Sequence, residues 1–243
     1  MQKNIKIIIM IRACLLFFLF FGCGRLLAQD ADRQQLVDTS TDDYLRVIGI
    51  QSVLYYGNLQ DGHPRTTNHP YLKEIQFVNA RLSYFRNIYP EVLLRFDLSR
   101  NELIIRMPNF LNVVLFPENV DFAELHGYKI VYLPRDSFPG CPSPGYYYQL
   151  HSGKCKVLEK QTATLLLENI TQQYYYGILT KFYLFHDGAY YNIRNKRSLL
   201  KVLQSHKKEL KRFISAHNLK YRDDAESLIT QTVIEYENLS GIQ

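Results

Sequence analysis

Outside the first 28 residues the chain holds two cysteines, Cys141 and Cys155, and they are the first side chains to weigh for chemistry. A cysteine nucleophile needs a histidine base within hydrogen-bond reach and surroundings that lower the thiol pKa. The segment "GCPSPG" around Cys141 opens no helix and supplies no dipole to do so. As an even pair in an oxidising compartment, the two are instead candidates for a disulfide, closing a loop worth roughly 3 kcal/mol. Geometry complicates that bridge. If the hairpin turns at Ser152–Gly153, Cys155 falls opposite Leu150, so Phe138–Gly145 must double back through its three prolines and two glycines.

The other reactive types are poorly spaced. His63 and His69 flank the loop "HPRTTNHP", and His151 and Cys155 sit four apart across an expected turn. Neither matches a closed metal site such as paired Cys-x-x-Cys or His-Glu-x-x-His, so no metal ligand and no cofactor is assigned. Asp97 and Glu102 approach each other across Ser99–Asn101, but a hairpin tip is ordinarily wet, whereas glycosidic chemistry needs two carboxyls in a cleft. There is no Gly-x-Ser-x-Gly elbow and no phosphate-binding glycine loop. Two Tyr triplets, Tyr146–Tyr148 and Tyr174–Tyr176, could present aromatic surface, yet in a strand the middle residue faces away from its neighbours. Strand packing is the simpler account of both.

One run is strongly charged. Residues 195–222 hold nine Lys or Arg and one Glu. On a helix over 206–217, Leu210, Phe213, Ile214 and His217 share one arc, and Lys207, Lys208, Lys211 and Arg212 share the other. The apolar arc docks the helix. The basic arc then faces outward, either as a solvated face or as a contact for an anionic membrane surface or an acidic envelope protein.

These residues sit in a chain that carries export signals. Lys3, Lys6 and Arg12 precede the short apolar segment Ala13–Gly24, which has the pattern of a secretory leader and is short for a membrane span. Cleavage after Ala28 is favoured; Cys23, after Gly22, is the alternative lipidation site. Loss of the leader removes four basic residues and no acid, taking the net charge from +6 to +2. What remains is polarised rather than basic, so no nucleic-acid partner is expected.

The expected organisation is a leader over residues 1–28, a polar tether over 29–43, a β-rich body over 44–194 and a helical annex over 195–243. The alternation in Val92–Leu98 and the strand pair Val120–Leu125 and Tyr128–Leu133 predict antiparallel pairing. So do hairpins in 146–160 and 181–193, the second turning at Asp187-Gly188. Asp223 is the expected cap of the last helix, with Glu226 completing a capping box and Ile229, Val233 and Tyr236 facing inward. The fold class is α+β, a mostly antiparallel sheet followed by C-terminal helices.

The segments "LYYGNLQ" (Leu54–Gln60), "HPYL" (His69–Leu72), "RFDLSRNELII" (Arg95–Ile105) and Phe185–Phe213 resemble recurring segments of a family of exported, uncharacterised β-rich proteins of Gram-negative bacteria. The resemblance implies export and the β-then-helix order. It carries no catalytic residues. The function expected is a non-enzymatic binding or scaffolding module of the envelope. The alternatives are a hydrolase-like enzyme with a site assembled from distant residues, and a carrier of lipid or lipoprotein on a curved sheet lined by Val92, Leu94 and Phe96.

Overall fold

The computed structural model describes residues 53–241. The leader, Cys23 and the tether Gln29–Asp43 lie outside the described residues. Eleven strands make one sheet: β1 Gly57–Leu59, β2 Val78–Tyr84, β3 Asn87–Asp97, β4 Glu102–Arg106, β5 Asn112–Leu115, β6 Val120–Leu125, β7 Tyr128–Leu133, β8 Gly145–Ser152, β9 Lys156–Leu167, β10 Tyr174–His186 and β11 Ala189–Ile193. Three helices follow: α1 Lys196–Val202, α2 Lys207–Ala216 and α3 Ala225–Leu239. The strand order is β1-β5-β4-β3-β2-β6-β7-β8-β9-β10-β11, with antiparallel pairing throughout. The α+β expectation therefore holds.

The sheet curls. Strands β3 and β4 are separated from β8 and β9 by β2, β6 and β7 in the sheet order, yet their turn touches both. The Ala163 amide donates to the Leu98 carbonyl at 3.1 Å, and Asn101 accepts from the Tyr146 amide at 2.7 Å. Rolling the sheet places apolar residues of opposite halves in contact. Phe96 meets Tyr146 and Tyr148 edge-on, with ring centroids 5.9 and 6.1 Å apart. Val92, Leu94 and Phe96 are thus buried in a packed interior.

The helices cover the inner face of the C-terminal strands. Val157, Phe182, Leu184 and Ile193 pack against Leu199, Leu203, Leu210, Ile214, Leu228, Ile229 and Val233. Side-chain caps start α1 and α3, whereas α2 begins without one. Asn195 caps α1 through a reciprocal pair with Ser198. Asp224, rather than Asp223, caps α3, accepting from the Ser227 amide at 2.8 Å. Asp223 instead reaches Lys220 at 3.8 Å. Between β10 and β11, Asp187 and Gly188 both take positive φ, 48° and 72°, as the tight turn requires.

The expected disulfide is not formed, and the sheet itself is the reason. Cys155 packs on the helix side with Val157 and Leu184. Cys141 packs on the opposite side, against the cluster of Tyr147, Leu158 and Tyr190. Both are free thiols. The hairpin also turns later than its sequence suggests: Ser152 pairs with Lys156, which puts Cys155 in the turn and leaves it facing no strand partner.

Candidate functional site

The two stripes of α1 and α2 make a basic cleft. Residues one turn apart on a helix share a face, so α1 presents Lys196, Arg197, Leu200 and Lys201 together, and α2 presents Lys207 and Lys211. These six line a cleft of about 600 Å³. The burial of Leu199, Leu203, Leu210 and Ile214 against the sheet fixes both helices, and that fixes the direction of the stripes. No carboxylate lines the cleft. Among the described residues none of its five cations takes part in an ion pair. Five cations around one hollow let an anion there accept several charge-assisted hydrogen bonds.

Of the four basic residues expected on the outer arc, Lys207 and Lys211 line the cleft, and Lys208 and Arg212 are exposed on the same helix. Lys196, Arg197 and Lys201 are the part that helical periodicity in 206–217 alone does not supply. The i, i+4 spacing of Arg197 and Lys201, with Lys196 adjoining, beside the Leu199–Leu200 pair was the available signal.

A second constellation is polar and buried. Asp97 ends β3 facing Glu102 of β4, as the turn predicts, but it is fully buried rather than wet. The segment before β2 folds over it. His63 Nε2 bonds Asp97 Oδ2, while Asp97 Oδ1 accepts from the Ser99 amide and hydroxyl at 2.8 Å and the Arg100 amide at 3.1 Å. Tyr176 of β10 lies 3.0 Å from His63 Nδ1. Burial raises the Tyr176 phenol above its ordinary value, so it keeps its proton. Burial, and then the Asp97 charge, raise Glu102 above the usual carboxylate range. The network ties three distant parts of the chain together. Asp97 spends its lone pairs on the turn and on His63, which makes it a clamp for the loop.

Neither pair bonds directly; each shares a neighbour. His69 stacks on Tyr71, whose ring His63 meets edge-on, and His151 and the Cys155 amide share Glu237. His151 Nε2 bonds Glu237 of α3 at 2.8 Å, while Cys155 Sγ lies 3.4 Å from His186 Nδ1. His186 in turn reaches Asp187 at 3.1 Å. This order, thiol to imidazole to carboxylate, has the connectivity of a nucleophilic triad, but the thiol is not activated. Cys155 is 2% exposed, and burial pushes its pKa up to about 11. An activated thiol needs the opposite shift.

A scan of protein-family models, a search of curated proteins and a search of solved structures each give no match.

Proposed function

We propose that the protein is exported and acts in the cell envelope as a binding module, holding a phosphate-bearing lipid surface in the cleft between α1 and α2. One observation carries this reading: five cations line a single hollow with no carboxylate among its lining residues and, among the described residues, no ion pair to neutralise them. A solvated face needs charge but has no need to converge it. Convergent Lys and Arg suit clustered phosphates better than an isolated carboxylate. Near an anionic membrane each cation contributes about 1 kcal/mol, an attraction that salt screens.

The test is sedimentation with anionic and with neutral vesicles, at low and moderate salt. The full chain is compared with a Lys201→Gln, Lys207→Gln, Lys211→Gln variant. Any contribution from the leader is common to both proteins. The expected result is an excess of binding to anionic over neutral vesicles that fades with salt and weakens about 100-fold in the variant. Equal sedimentation of both proteins under all conditions would overturn the proposal.

A further inference from the structure

The β9–β10 hairpin carries a run of apolar side chains that the fold leaves two-fifths or more exposed. Residues 161–180 contain one charged side chain, Glu168. The pairing of β8 with β9 ends at Glu159, and that of β11 with β10 ends at Phe182. From the Lys160–Lys181 pair to the Leu167–Tyr174 pair the hairpin is thus a two-stranded ribbon. It is braced at its edges. Ala163 bonds Leu98, the Thr67 amide donates to the Tyr174 carbonyl at 2.9 Å, and Asn68 exchanges bonds with the backbone of Tyr176 at 2.7 and 2.9 Å.

Strand alternation sorts the exposed residues. Leu165, Leu167, Tyr174 and Ile178 are on one face of the ribbon, Leu166 and Leu179 are on the other, and Ile170 in the turn is 91% exposed. A flat protein surface can cover only one face of a ribbon. Apolar groups on both faces and at the apex call for a medium that surrounds them. At the same end, Arg65, Thr66, Thr67, Gln172, Gln173 and Tyr174 line a cleft of about 360 Å³. The Thr66 and Thr67 hydroxyls and the Gln172 amide already donate to the carbonyls of Asn68, Tyr174 and Asn169, so the Arg65 guanidinium and the Gln173 amide are the donors that suit a phosphate headgroup, and a tyrosine suits the boundary between headgroups and acyl chains.

We propose that this end of the protein is a lipid-contacting finger: the Arg65 cleft takes a phospholipid headgroup, and the leucines and isoleucines of the hairpin enter the adjoining layer of the bilayer. Open strand edges cannot sit in hydrocarbon, so the contact stays at the headgroup–acyl boundary. The finger does not depend on the α1–α2 cleft. Phe182 pairs with Ile193, close before α1, and Tyr174 is eight residues further along β10, roughly 26 Å of strand.

The chain has no tryptophan, so a single substitution makes a local reporter. In the full chain, Ile170→Trp is expected to shift its emission to the blue with neutral phosphatidylcholine vesicles. The shift persists in high salt, and a quencher carried on the acyl chains reduces the emission. Phe110→Trp, at another exposed site, is the control and should not respond. Adding Arg65→Gln, or Leu166→Ser with Leu179→Ser, to the reporter should raise the lipid needed for half the shift about tenfold. Failure of the α1–α2 reading is seen separately, because the three-lysine variant should leave this signal unchanged. An unshifted Ile170→Trp in the presence of vesicles overturns the finger. So does a shift that depends on protein concentration and needs no lipid, which would make the occupant a second copy, and so does loss of the signal in the three-lysine variant.

Discussion

A residue's chemistry here follows from the face of the sheet it is folded onto. Cys155 and Cys141 are the same side chain, but the first is sealed beneath the helices and the second is half-buried on the far side. Alkylation of the native protein at the ordinary thiol pKa, about 8.5, is therefore expected to modify Cys141 first, and Cys155 only after denaturation. Peptide mass mapping reads both, and a Cys141–Cys155 crosslink formed in the native protein would contradict their separation. The pH dependence has a definite sign. The folded Cys155 pKa lies above its unfolded value, so the native state holds that proton more tightly. Its contribution to stability is complete below the unfolded thiol pKa and is lost as pH rises toward about 11. A Cys155→Ser variant should flatten that alkaline decline in urea unfolding.

At the scale of elements, the annex is joined to the sheet by one carboxylate as well as by its apolar face. Glu237, in the last turns of α3, accepts from the Cys155 amide at 2.7 Å and bonds His151 at 2.8 Å. A side chain at Gly153 would put a carbon 2.4 Å from that carboxylate. Glu237→Ala is expected to cost about 2 kcal/mol by leaving the Cys155 amide without its acceptor. Both Glu237→Ala and Gly153→Ala, the second by displacing the carboxylate, should speed amide exchange at Cys155. Unchanged exchange in both variants would remove the latch. The sequence announced those elements whose period and turns agree. β6 and β7 have the expected limits, the Asp187-Gly188 turn is in place, and Ile229, Val233 and Tyr236 face inward. It did not announce the long β9–β10 ribbon, because "TLLLENITQQYYY" has no clean alternation and no Gly or Pro to mark its turn. Nor could spacing reveal that Asp97 is buried, since His63 and Tyr176 arrive from 34 residues before it and from β10. The lysines of the cleft were visible one at a time. Their convergence depends on how α1 and α2 dock.

For the whole molecule, closure of the roll is the decisive event. The bond between Leu98 and Ala163 joins residues 65 positions apart, and Asn101 meets Tyr146 across 45. A chain ending before β8 lacks both partners of the β3–β4 turn and all of the helix-covered core. Such a fragment is expected to show no cooperative urea transition by tyrosine fluorescence, whereas the full chain shows one. Pairings this remote make folding slow, on the order of milliseconds to seconds. The curl therefore acts as a timer: the N-terminal strands cannot complete their interior until the later strands exist, and a newly made chain stays loose for as long as its second half is missing.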